Sequence, residues 1–212
     1  MAQNASLLKD MLSRAPVVPV IVLNDVAKAK PLAEALVSGG LPLLEVTLRT
    51  ENAFQIMEEM ATVPGAIVGA GTVRDLTHMQ RAEKAGSKFL VSPGSPPQLI
   101  ADAEKVGIPL LPGVATATEG MTVAEQGYSF VKFFPAEASG GARAVKDFAS
   151  PLPDLIFCPT GGISLKTAPD YLGLPNVICV GGSWVTPADA VAEDDWGRIE
   201  TLAREAAGLA RS

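Results

Sequence analysis

At 212 residues, 48% of them hydrophobic and 19% charged, the chain has the length of one large or two small domains and an ordinary globular composition. A net charge of −6 argues against nucleic acid or an anionic membrane surface as a partner, since both attract basic patches. No apolar run reaches membrane-spanning length, and Met1-Ala2-Gln3-Asn4 lacks a basic region followed by an apolar stretch, so a cytoplasmic protein is expected.

A helix from Ser6 to Arg14 is expected ahead of the first strand. Short apolar runs then recur at Val17–Leu23, Leu43–Leu48, Ala66–Ala70, Lys88–Val91, Ile108–Leu111, Phe130–Phe134, Leu155–Cys158 and Val177–Val180. Most are uninterrupted, as in parallel strands covered on both faces. Between them lie stretches with helical spacing. Thr50 is a candidate cap for a helix carrying Phe54, Met57 and Met60, and Asp75 for one carrying Leu76, Met79 and Ala82. Ser95-Pro96 begins another with Leu99, Ile100 and Ala103. Gly86, Gly107 and Gly127 stand where helix stops belong, and Ser164 is placed to open a short helix. Asp195 to Leu209 puts Trp196, Ile199, Leu202 and Ala206 on one face of a last helix. Strand then helix, eight times, predicts a single-domain α/β protein over residues 1–212, a (β/α)8 TIM barrel with an extra N-terminal helix. An open doubly wound sheet is the alternative, and eight consecutive units favour closure.

Cys158 and Cys179 lie in apolar runs and read as small buried hydrophobes that do not pair. The single histidine, His78, reads as a surface residue. A transition-metal site wants several converging ligands, so no metal is expected.

Lys132 stands out. It sits within Phe130-Val131-Lys132-Phe133-Phe134-Pro135, where an ammonium is out of place. Desolvation disfavours a charged amine, and a neutral one condenses with carbonyls to form a Schiff base. The competing reading is an edge lysine whose stem packs on phenylalanine while its head reaches water. The second strand, Leu44-Glu45-Val46-Thr47-Leu48-Arg49, puts Glu45, Thr47 and Arg49 on one face. Facing inward, Glu45 and Arg49 would stand in the barrel mouth, where such barrels do their chemistry; a structural Glu45–Arg49 salt bridge is the alternative.

Glycine turns close several strands. They are Gly69-Ala70-Gly71-Thr72, Ser92-Pro93-Gly94, Pro112-Gly113-Val114-Ala115-Thr116, Thr160-Gly161-Gly162 and Gly181-Gly182-Ser183-Trp184. Glycine lets backbone N–H groups approach a ligand. Barrels often hold a phosphate after strands seven and eight, where the last two turns fall.

These parts define a chemistry. Lys132 would attack a substrate ketone, Glu45 would move protons, and Arg49 with Thr72 would hold a carboxylate. The glycine turns would anchor a distal phosphate. The expected substrate is a phosphorylated keto acid, cleaved to pyruvate and a phosphorylated aldehyde.

The chain resembles the 2-keto-3-deoxy-6-phosphogluconate (KDPG) and 4-hydroxy-2-oxoglutarate (KHG) aldolases. The matching blocks are residues 16–22, 44–50, 68–73, 92–94, 132–137, 158–163 and 181–184, in the family's order. The resemblance implies a class I lyase of the Entner–Doudoroff pathway, free of cofactor and usually homotrimeric. It makes Lys132 the Schiff-base lysine and Glu45 the acid–base. Arg49, Thr72, Pro93 and Phe134 would frame the pyruvyl end, while Thr160, Gly161, Gly162, Gly182 and Ser183 would take the phosphate and hydroxyls. Two rivals stay open: a barrel holding pyridoxal phosphate on its lysine, and a non-catalytic sugar-phosphate sensor.

Overall fold

The computed structural model describes residues 4–211; Met1-Ala2-Gln3 and Ser212 lie outside the described residues, and with them most of the stretch read for a secretory leader. Among the described residues there are nine strands, with a helix between each successive pair except β5 and β6: β1 Val17–Ile21, β2 Leu43–Thr47, β3 Ile67–Gly71, β4 Phe89–Val91, β5 Leu110–Leu111, β6 Gly113–Val114, β7 Phe130–Phe133, β8 Ile156–Pro159 and β9 Val180–Gly182. The helices are α1 Ala5–Leu12, α2 Ala29–Ser38, α3 Ala53–Ala61, α4 Leu76–Lys84, α5 Pro97–Ala103, α6 Ala117–Glu125, α7 Gly141–Phe148, α8 Ala168–Leu172, α9 Ala188–Ala192 and α10 Trp196–Ala207.

Every strand pairing is parallel. Six strands form one sheet in the order β5-β4-β3-β2-β1-β9, and three form another in the order β6-β7-β8. The eight predicted runs are all present, with two corrections. Pro112, which has no N–H to give to a ladder, stands between β5 and β6, and strand structure resumes at Gly113–Val114, in the stretch read as a turn after the fifth run. The eighth strand starts at Val180 rather than Val177, which makes only a single bridge with Phe157. A second bridge joins Thr160 to Gly181, so β8 and β9 run side by side at the sheet edges.

Helix ends follow local chemistry. The Asp75 side chain accepts from the backbone N–H of His78, as predicted for a cap, and the Asp195 side chain likewise caps the last helix by accepting from the N–H of Arg198. Thr50 and Ser95 do not cap. Their hydroxyls donate to the carbonyls of Leu23 and Gly113, tying loops to neighbouring strands, and the helices begin at Ala53 and Pro97. Ser164 opens a turn closed by Thr167, and α8 begins four residues after the serine, at Ala168. His78, read as a surface residue, is half-buried, its side chain 18% exposed beside Asp75.

Two apolar layers hold these elements. The larger lies between strands and helices. The smaller joins Leu8, Met11 and Leu12 of α1 to Val18, Leu43, Phe89, Val91, Leu111, Phe130, Cys158 and Cys179. Each fully buried leucine of this kind contributes about 1.5–3 kcal/mol. Side chains two residues apart share a strand face. Leu43, Phe130 and Cys158 in this inner layer therefore place Glu45, Lys132 and Thr160 above it, at the carboxyl ends of their strands. The two cysteines are free thiols, their sulfurs 3.5 Å apart, and contact with Cys158 together with burial raises the Cys179 thiol well above its ordinary range.

Candidate active site

Lys132 on β7 and Glu45 on β2 meet above the inner layer. Lys132 Nζ donates to Glu45 Oε1 at 2.9 Å and lies 3.3 Å from Oε2, and both side chains are 5% exposed. The strand register makes this contact possible. β7 pairs with β8 so that Lys132 faces Cys158, and with β6 so that it faces Gly113. The Phe134 ring lies 5.4 Å below the ammonium. Lys132 is not an edge lysine reaching to water, and Glu45 pairs with Lys132 rather than with Arg49.

Gly69 and Gly71 serve the site differently from expectation. They sit within β3 and leave room for their neighbours: a Cβ on Gly69 would collide with the Phe89 ring, and one on Gly71 with the Glu45 carboxylate. Thr47 is structural, its hydroxyl donating to the Ile21 carbonyl at 2.9 Å.

A cavity of about 170 Å³ opens over Lys132, lined by Val20, Val22, Arg49, Phe134, Thr160, Gly161, Gly162, Ile163, Gly181, Gly182 and Ser183. Thr72 joins this group through Arg49, whose Nε donates to Thr72 Oγ1 at 3.1 Å. Thr72 has φ of 61°, a left-handed conformation that costs a non-glycine residue about 1–3 kcal/mol. Pro93 does not line the cavity; its backbone packs closely on Gly113 beside Lys132. Val20, Val22 and Ile163 were missed as lining residues, because an apolar residue at a strand end carries no signal in a sequence.

Gly161 and Gly162 have φ of +107° and +80°. Among the described residues, the N–H groups of Gly162 and Ile163 have no protein acceptor. Successive unpaired N–H groups form a concave donor set suited to an anion. A wider cleft of about 580 Å³ shares Val20, Val22 and Ser183, but its one ammonium, Lys28, is committed to the carbonyls of Val191 and Ala192 and to Asp194. Among the described residues, no group of three or more His, Cys, Asp or Glu side chains is arranged to hold a metal ion.

A buried amine against a carboxylate, beside a guanidinium and an open set of N–H donors, is equipment for work on an anionic carbonyl compound. Comparison with known proteins specifies it. The KDPG and KHG aldolase family model matches residues 8–202. The 2-dehydro-3-deoxy-phosphogluconate aldolase of Pseudoalteromonas atlantica is 51% identical over 199 residues, 93% of each chain. The crystal structure of the Zymomonas mobilis ZM4 KDPG aldolase with 3-phosphoglycerate superposes with a TM-score of 0.93, at 47% identity and 97% coverage of both chains. That of the Legionella pneumophila KDPG aldolase, with pyruvate captured as a covalent carbinolamine intermediate, gives 0.92 at 42% identity, covering 94% of this chain and 98% of that one.

The protein is an enzyme of the aldehyde-lyase class. It belongs to the KDPG and KHG aldolase family.

Proposed function

We propose that the chain is a class I aldolase that cleaves KDPG to pyruvate and glyceraldehyde 3-phosphate, and KHG to pyruvate and glyoxylate. The 2.9 Å contact between the buried Lys132 amine and Glu45 carries this reading. Passing a proton from lysine to carboxylate leaves a neutral amine and a carboxylic acid. The amine attacks the C2 ketone, and Glu45 returns the proton to the oxygen as the carbinolamine forms. Loss of that oxygen as water gives an iminium. Removal of the C4 hydroxyl proton then breaks the C3–C4 bond, and its electron pair enters the iminium to form an enamine. The aldehyde leaves, C3 is protonated, and water releases pyruvate from Lys132. The iminium serves as the electron sink, so no metal or cofactor is required for the balance of this cycle.

Arg49, held by Thr72, is assigned to the substrate carboxylate and Phe134 to the wall of the pyruvyl pocket, with Pro93 behind that pocket through its packing on Gly113. The Gly161–Gly162 loop is assigned to the phosphate through the N–H groups of Gly162 and Ile163, with Gly182 and Ser183 opposite and Thr160 towards the hydroxyls. The Legionella relative's carbinolamine with pyruvate and the Zymomonas relative's 3-phosphoglycerate support the two ends of this assignment. The two parallel sheets act in this reading as one closed eight-stranded barrel and one domain, with β5 and β6 as a single strand broken at Pro112. The family resemblance supports a cytoplasmic homotrimer.

Coupling pyruvate release to its reduction by NADH tests the reaction. Wild-type protein should release one pyruvate per KDPG consumed, and Lys132→Ala none above background. Equal activity in the variant would remove Lys132 from the chemistry. A pyridoxal phosphate holder would instead be yellow as purified, and a sensor would bind phosphosugar without turnover.

A further inference from the structure

The Lys-Phe-Phe-Pro-Ala-Glu block ends in Glu137, a carboxylate that the chemistry above does not use. It lies in a short 3-10 turn, Glu137–Ser139, after β7. Its Oε1 accepts a 2.5 Å hydrogen bond from the hydroxyl of Tyr171, on α8, 34 residues later in the chain. Tyr171 is 1% exposed, so the phenol is fixed by packing before it reaches Glu137.

The Gly161–Gly162 loop is seated on this pair. The backbone N–H of Ala136 donates to the Thr160 carbonyl at 2.8 Å, and that of Glu137 to the Gly161 carbonyl at 3.1 Å. A Cβ on Gly162 would stand 2.8 Å from Glu137 Cβ and Cγ, so the Glu137 stem is the surface on which Gly162 rests. Glu137 itself does not line the cavity. A loop with two positive-φ glycines has more backbone freedom than any other two-residue combination, and that freedom must be removed when it binds an anion. A loose carboxylate beside a phosphate would also repel it.

We propose that Glu137 and Tyr171 are positioning residues for the phosphorylated end of the substrate: their hydrogen bond pins the Gly161–Gly162 loop from behind and keeps the carboxylate off the anion. The inference rests on the assignment of that loop to the phosphate. Burial, reinforced by the neighbouring carboxylate, keeps the Tyr171 phenol protonated at every working pH, so the clamp always has its donor.

The test compares wild type with Tyr171→Phe, Glu137→Ala and Glu137→Gln. The readouts are KM and kcat for KDPG, competitive inhibition by inorganic phosphate, and the rate of borohydride trapping with pyruvate, which carries no phosphate. Loss of one hydrogen bond predicts that Tyr171→Phe and Glu137→Ala raise KM and the phosphate inhibition constant together by about three- to tenfold. Their kcat and pyruvate trapping should stay within about twofold of wild type, while Glu137→Gln, whose amide oxygen still accepts from Tyr171, keeps wild-type behaviour. Glu137 is exposed, so Glu137→Ala keeps the test alive should Tyr171→Phe not fold. A uniform loss across KDPG turnover and pyruvate trapping would reveal a merely structural pair and overturn the proposal. So would unchanged KM and phosphate inhibition in both clamp variants. If wild type itself ignores inorganic phosphate, the loop assignment fails and the clamp falls with it; if wild type is inhibited and the variants equally so, the clamp alone falls.

Discussion

Gly71 leaves the space that the Glu45 carboxylate occupies: a methyl group on that glycine would overlap Glu45 Oε1, Cγ and Cδ. The carboxylate that touches Lys132 is therefore aimed from β3 as much as from β2, the strand that carries it. β2 is buried along its length, and the inner layer below Glu45 is apolar. Gly71→Ala should lower kcat by about ten- to a hundredfold, since a shift of about 1 Å at a reacting group costs on that order. Overpacking should also lower stability by about 1–3 kcal/mol. Steady-state kinetics alongside thermal unfolding check both. A variant that melts early but keeps full kcat would show that Glu45 has room to spare.

Glu45→Gln keeps the shape of the contact and removes the proton carrier. Turnover should drop by about 10²- to 10⁴-fold, the usual share of a general acid–base. Lys132 would remain buried with an amide in place of its counter-charge, so the rate of pyruvate trapping should fall as well. Rapid-quench trapping at several times resolves the two steps. Unimpaired turnover would transfer the proton work to another group.

Arg49 and Thr72 form the next pair to test. Arg49→Ala should raise KM for KDPG by about ten- to a hundredfold, as expected for a hydrogen bond to a charged group. Thr72→Ala removes the acceptor for Arg49 Nε and should give a smaller change in the same direction. Substrate-saturation curves settle both, and a fall in kcat at constant KM would contradict carboxylate binding.

Gly162→Ala carries two penalties at once. Alanine must adopt φ near +80°, and its Cβ meets Glu137 at 2.8 Å. Inhibition by inorganic phosphate should weaken about tenfold or more, with pyruvate trapping little changed. Inhibition titrations of wild type and variant measure this directly.

Much of this was legible in the chain because parallel strands are short, apolar and evenly spaced, and because charge inside such a run is costly. Lys132 and Glu45 were visible for that second reason alone. The α7 helix at Gly141–Phe148 had no residue-level signal strong enough to bound it, and β6 at Gly113–Val114 lies in a proline–glycine stretch that reads as a turn. Thr50 and Ser95 looked like caps, since nothing local distinguishes a hydroxyl that caps a helix from one that ties a loop to a strand. The role of Gly69 and Gly71 was misread for a related reason: a missing side chain does not say whether it makes way for a ligand or for a neighbour. Lys132 and Glu45 were joined in one chemistry from the sequence, but their direct contact, across 87 residues of chain, needed three dimensions.

Borohydride reduction in the presence of pyruvate, followed by intact mass measurement and peptide mapping, tests the Schiff-base assignment most directly. A single reduced pyruvyl adduct on the peptide containing Lys132, absent from Lys132→Ala, is the predicted result. A folded wild-type protein that gains no adduct, or gains one on another lysine, would contradict it.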